Sequence, residues 1–307
     1  MPLDPAVRGL IDAVRAAGMP AIGSVSAQQM RDFQKALLAK LPPGPDIHRT
    51  WDLDIPSEAG GMAARAYWPN DRPRALIVYF HGGGWTIGSL DGWDGALRRL
   101  ANTSGCAVLS VDYRLAPEAR FPAAVDDALA AVRWAGRHLV HLAGAEVPLF
   151  VAGDSAGGNL SAVVAQTFRD HGGPRLTGQI LIYPSTDGDI DSPRLARFES
   201  PFLTREEISW FFDQYIPDRT QRIDVRFAPL RAPSLAGLPP AFVLSAENDI
   251  LAEEAELYAA RLQEAGVKVR HQRYLGTIHG FLTMDRGLLP HSGKAFDDIA
   301  SFISEQL

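Results

Sequence analysis

The chain has 307 residues, 46% of them apolar and 21% charged, the balance of an ordinary globular protein with a sizeable core. Its 30 basic and 36 acidic residues leave a net charge of −6, and no basic cluster stands out, which excludes a nucleic-acid footprint. No apolar run reaches the length of a bilayer span, and no basic n-region or apolar h-region opens the chain. The single cysteine, Cys106, excludes an intrachain disulfide and a cysteine-based zinc cluster, and its place at the head of the run Cys106-Ala107-Val108-Leu109 predicts a buried, inert thiol. A cytoplasmic protein without integral membrane association is expected.

Asp4 is placed to cap a first short helix, with Pro5 at the opening position and Val7, Leu10, Ile11 and Val14 as its apolar stripe. Ser26 to Gln29 is a capping box for a second helix, whose stripe is Met30, Phe33, Leu37 and Leu41. Leu41-Pro42-Pro43-Gly44-Pro45 then stops the helix. Residues 1–45 therefore read as an appendage to the main domain.

From there strands alternate with helices. Trp51–Ile55, Ala63–Trp68 and Ala75–Phe80 predict three strands, the last apolar throughout, as in a strand covered on both faces. A helix over Trp93–Thr103 leads to a strand at Ala107–Val111. Residues 123–137 predict a helix with Val125, Leu129, Val132 and Trp134 buried. Strands follow at Leu149–Gly153, Gln179–Tyr183 and Ala241–Ser245, then a helix carrying Leu251, Ala255, Tyr258 and Leu262, a strand at Val267–Tyr274, and a closing helix. The alternation implies an α/β fold, a mainly parallel sheet covered on both sides. Residues 184–235 interrupt it. There Thr204-Arg205-Glu206-Glu207 is another capping box, with Ile208, Phe211, Phe212 and Tyr215 at helical spacing after it. Those aromatics either pack a satellite core or form a lid lining a substrate pocket, and the two are compatible. The core is thus divided into 46–183 and 236–307 by the insertion 184–235.

The chemistry centres on Gly153-Asp154-Ser155-Ala156-Gly157. An apolar strand breaks there into Gly-x-Ser-x-Gly and runs at once into a helical segment, the pattern that exposes a serine hydroxyl on a strained turn. A serine needs a base, and the base needs an orienting acid. Asp249 and His279 stand just past two later strands, in the order Ser, Asp, His, on the same sheet edge as Ser155. Asp249 has a second role open to it as a helix N-cap, and Glu247 is the alternative acid. His81-Gly82-Gly83-Gly84-Trp85, after the third strand, can turn successive amides toward a substrate oxygen. Gly83, Gly84 and Ala156 are the expected oxyanion donors, with His81 stabilising the loop. A dinucleotide fingerprint starting at Gly82 needs glycine at 87 and meets Ile87. His48, His138, His141, His171, His271 and His291 have no comparable context.

These motifs make the chain resemble the hormone-sensitive-lipase-like serine esterases of the α/β-hydrolase fold. Further matches are Val111-Asp112-Tyr113-Arg114-Leu115-Ala116-Pro117-Glu118, continuing through Phe121 to Asp127, and His279-Gly280-Phe281. Asp249-Ile250-Leu251 stands where that family usually has Asp-Pro-Leu. The resemblance runs from about residue 50 to the end. It implies a helical cap built from the N-terminus and an insertion, Trp85, Phe211 and Phe212 as substrate-binding residues, and a structural role for Asp112–Glu118. The implied activity is hydrolysis of short- to medium-chain carboxylic esters through an acyl-enzyme, with a small-molecule ester as partner and no metal or cofactor. Amide or thioester hydrolysis on the same triad is the alternative. A non-catalytic receptor, like the plant gibberellin receptors that resemble this family, would lack the histidine found at His279. The strand at Val267–Tyr274 is a candidate edge for pairing into a homodimer.

Overall fold

The structure, a computed structural model, describes residues 3–40, 43–57, 60–196, 198, 200–284 and 289–307. Leu41 and Pro42, where the sequence places the end of an apolar stripe and a helix stop, lie outside the described residues.

Asp4 caps α1 (Pro5–Ala16), accepting the amide of Ala6 at 2.8 Å. Ser26 and Gln29 close both halves of the capping box that opens α2 (Ala27–Leu38). The chain then forms β1 (Arg49–Ser57), β2 (Gly60–Trp68), β3 (Leu76–Phe80), α3 (Leu90–Ser104), β4 (Ala107–Val111), α4 (Ala123–Arg137), α5 (Leu139–Ala143) and β5 (Leu149–Asp154). After α6 (Ala156–His171) and β6 (Gly178–Ile182) come α7 (Pro193–Ala196) and α8 (Arg205–Tyr215). Last are β7 (Ala241–Asn248), α9 (Ala252–Glu264), β8 (Val269–Ile278), α10 (Phe281–Met284) and α11 (Pro290–Ser304).

The eight strands form one sheet in the order β1-β2-β4-β3-β5-β6-β7-β8. β1 and β2 pair antiparallel, as do β2 and β4, and every later pairing is parallel. Alternation along the strands divides the core. Leu76, Val78, Phe80, Leu149 and Val151 face the cluster that holds α4 and α6, whereas Ile77, Tyr79, Phe150 and Ala152 face α3 and α11. Cys106 is buried, and burial pushes its thiol pKa up.

Three expectations change. Leu129 and Trp134 are only half-buried, because they lie at the margin of the α4 face that Val125 and Val132 centre. β7 runs three residues past Ser245, so Glu247 belongs to the strand and Asp249 is the first residue after it. Finally, Ile208, Phe211, Phe212 and Tyr215 are no satellite core. They join the same apolar cluster as Trp85, Met30, α4 and α6.

Candidate active site

Parallel strands end together at one edge of the sheet, and β3, β5, β7 and β8 each deliver a functional segment there. Ser155 sits between β5 and α6 with φ 54° and ψ −116°, a conformation a side chain adopts only under constraint. The constraint is close packing of backbone on backbone. A Cβ at Gly157 would overlap the carbonyl of Phe80, and one at Gly153 would overlap Gly157. Ser155 itself is held by its amide, which donates to Ile182 O at 2.9 Å.

His279 is the first residue after β8. Its Nε2 lies 2.9 Å from Ser155 Oγ, and its Nδ1 lies 2.7 Å from Asp249 Oδ2. A carboxylate cannot donate, so the proton sits on Nδ1 and Nε2 is left to accept from the serine hydroxyl. Asp249 also accepts the amide of Leu251 at 3.0 Å through Oδ1. It therefore orients the histidine and caps the turn leading into α9 at once. Glu247 is turned elsewhere by a bulge between Ala246 and Asn248, where the register against β8 shifts. Its Oε2 takes the amide of Gly276 at 2.8 Å.

The loop after β3 faces Ser155 from the neighbouring strand. Gly83 and Gly84 have φ of 108° and 57°. Among the described residues, the amides of Gly83, Gly84 and Ala156 donate to no group of the chain. His81 is fully buried and its Nδ1 lies 2.7 Å from Gly82 O. A peptide group is planar, so holding that carbonyl also sets the direction of the Gly83 N–H. Burial holds the His81 pKa down at about 4, which keeps the ring neutral.

Two neighbours escaped the sequence argument. Asp154 is buried, and its Oδ1 gathers Tyr79 OH (2.8 Å), Trp93 Nε1 (2.8 Å) and the Gly82 amide (3.0 Å). Burial pushes its pKa up to about 6. The signal was an acid inside an apolar strand, which needs buried donors to be tolerated. Tyr183, the residue after β6, packs its ring 4.8 Å from that of His279 and fixes one side of the imidazole. Nothing in a run of apolar residues distinguishes such a tyrosine from an ordinary core residue.

A cavity of about 570 Å³ opens over Ser155 and His279. Val14 and Met30 from the N-terminal segment, and Phe211 and Phe212 from α8, are among its walls. Phe211 packs on Gly84, filling the space a side chain there would need. Trp85 borders the cavity too, but its ring is stacked on Tyr215 at 4.9 Å and lies near Phe227, at 2% exposure. It ties the glycine loop to the insertion more than it faces open space. Asp112 to Glu118 is tied down by ion pairs, Arg114 with Asp127 at 2.8 Å and Glu118 with Arg31 at 2.6 Å. Among the described residues no cluster of His, Cys, Asp and Glu is placed to hold a metal ion. No described helix is long and apolar enough to cross a membrane.

A mainly parallel sheet with a serine on a strand-to-helix turn, and Asp and His after later strands, defines an α/β hydrolase. Residues 77–283 match the family model described as alpha/beta hydrolase fold. The chain belongs to this family, among its hormone-sensitive-lipase-like esterases. It is 42% identical to the carboxylic ester hydrolase LipN of Mycobacterium tuberculosis over 92% of this chain and 77% of that one. It is 36% identical to an ethyl acetate hydrolase of Pseudomonas putida over 90% and 89% of the two chains. The solved structure of a hyperthermophilic esterase from the archaeon Pyrobaculum calidifontis superposes with a TM-score of 0.91 at 39% identity, covering 99% of each chain.

Proposed function

We propose that this protein is a serine carboxylesterase that hydrolyses short- to medium-chain acyl esters. The observation that carries the reading is the hydrogen-bonded line Ser155 Oγ, His279, Asp249, at 2.9 and 2.7 Å, under a cavity of about 570 Å³. His279 Nε2 takes the hydroxyl proton as Ser155 Oγ attacks the ester carbonyl carbon. The carbonyl oxygen becomes an oxyanion facing the amides of Gly83, Gly84 and Ala156, the last at the N-terminus of a 16-residue helix. The carbon–alkoxide bond then breaks, and His279 returns the proton to the leaving alcohol. Water repeats the sequence on the acyl-enzyme and releases the acid. Asp249 stabilises the imidazolium throughout.

The N-terminal segment and the insertion 184–235 act as a cap that closes the acyl side of the cavity. Cytoplasmic location and a homodimer paired through β8, one of the two edge strands, complete the reading. A monomeric mass by light scattering removes the homodimer, and recovery outside the cytosolic fraction removes the location.

The deciding experiment is hydrolysis of p-nitrophenyl esters from acetate to decanoate by the wild type and Ser155→Ala. The wild type is expected to prefer the shorter half of the series. The variant, with unchanged melting temperature, is expected to lose activity on every ester. Retention of a tenth of the wild-type kcat by a folded Ser155→Ala overturns the assignment.

A further inference from the structure

Arg31 lies on α2, far from Ser155 in sequence and outside every motif described above. Its guanidinium reaches across to the core, donating from Nε to Thr86 O at 2.9 Å and from Nη2 to Ala116 O at 2.7 Å. Glu118 holds the outer edge of the group at 2.6 Å. Thr86 is buried and belongs to the glycine loop.

The consequence follows from peptide geometry. The carbonyl of Thr86 and the amide of Ile87 share one planar group. That amide donates to Gly83 O at 2.9 Å, and the Thr86 amide donates to the same oxygen at 3.0 Å. Gly83 O in turn shares its plane with the N–H of Gly84, an oxyanion donor in the proposed mechanism. A continuous line therefore runs from a permanent positive charge, through two peptide groups, to Gly84 N–H. Hydrogen bonds in series polarise one another, most of all when a charged donor begins the chain. A guanidinium stays protonated at every pH of interest.

We propose that Arg31 is a positioning residue for the esterase reaction. It fixes and polarises the Gly84 amide, so that α2 helps build the oxyanion hole as well as roofing the cavity. The inference rests on the esterase reading. A merely structural Arg31 would affect folding or substrate binding, whereas this one acts on the transition state.

The test is Arg31→Met, which keeps the aliphatic stem, with Arg31→Lys, which keeps the charge but loses the planar fork of donors. Both are measured on p-nitrophenyl acetate, with kcat taken per active site titrated by a p-nitrophenyl phosphonate. Loss of a whole oxyanion donor costs about 10²–10³ in kcat, so weakening one is expected to cost roughly tenfold to a hundredfold. KM should stay within about twofold. Affinity for a trifluoromethyl ketone, whose adduct with Ser155 carries the oxyanion, should fall by the same factor as kcat. Arg31→Lys should recover part of both. A folded Arg31→Met with kcat within about twofold of wild type, or with the loss confined to KM, overturns the proposal. If Arg31→Met does not fold, Arg31→Lys decides: a lower kcat at unchanged KM supports the proposal and wild-type kcat overturns it. A wild type inert toward every ester would instead fail the esterase reading itself.

Discussion

The carboxyl of Glu254, buried in the first turn of α9, accepts the backbone amide of Thr186 at 2.6 Å, and the Thr186 hydroxyl returns to Glu254 O at 3.1 Å. This pair ties the helix that follows Asp249 to the loop that follows β6. The same loop supports the turn at Ser155, because Ser185 O accepts Asn159 Nδ2 from the first turn of α6 at 2.9 Å. The segments that carry Asp249 and Ser155 are thus braced against each other.

That pair makes stability depend on pH. Burial pushes Glu254 up from 4.5 to about 7, and Asp154 moves in the same direction, from 3.8 to about 6. Between 4.5 and 7 the unfolded chain has released the Glu254 proton that the native state still holds. Stability from this group is therefore present below 4.5 and is lost as pH rises through 7, at no more than about 1.4 kcal/mol per pH unit and about 3 kcal/mol in all. Glu254→Gln keeps an oxygen for the Thr186 amide and cannot ionise. Urea unfolding from pH 4.5 to 8 should show a shallower fall for the variant than for the wild type. Equal slopes would remove Glu254 as the titrating group.

The two acids of β7 and its end should separate cleanly. Asp249→Asn forces His279 toward the wrong tautomer and should lower kcat about 10⁴-fold, as in the serine-protease triad. Glu247→Gln keeps an acceptor for the Gly276 amide and should leave kcat within about threefold. The measurement is kcat on one short ester for both variants, and a reversed order would make Glu247 the acid.

Phe211 and Phe212 should differ although they are adjacent. Phe211 lies over Gly84 at the cavity wall, and contact with an acyl chain is worth about 0.8 kcal/mol per methylene, roughly fourfold in kcat/KM. Phe211→Ala should alter chain-length preference, with the change growing from acetate to decanoate. Phe212 packs between Phe227, at 5.0 Å, and Trp85, at 6.1 Å. Its truncation should cost about 3 kcal/mol of stability with a smaller effect on preference. The ester series and melting temperatures of both variants check this. A uniform loss across the series for Phe211→Ala would leave α8 as scaffold.

What could be read from the sequence is what neighbouring residues settle among themselves. Asp4, Ser26 and Thr204 cap helices because their partners lie two or three residues away. The glycines around Ser155 announce a turn too tight for side chains, and strand ends put Asp249 and His279 on the edge that holds Ser155. Local periodicity carries that information, and the parallel topology converts it into proximity across the sequence separation of 124 from Ser155 to His279.

Other features depended on how distant surfaces meet. The bulge at Ala246 and Asn248 sends Glu247 to the Gly276 amide while Asp249 meets His279, because one displaced residue changes which way a strand side chain points. Trp85 belongs to an aromatic stack, and Arg31 belongs to the glycine loop, through contacts with α8 and across 55 residues of chain. An arginine on an amphipathic helix reads as a solvated charge until the opposing carbonyls are in place. Those carbonyls are generic backbone, carried by every residue alike, so only the folded arrangement of loops selects which of them a guanidinium will find.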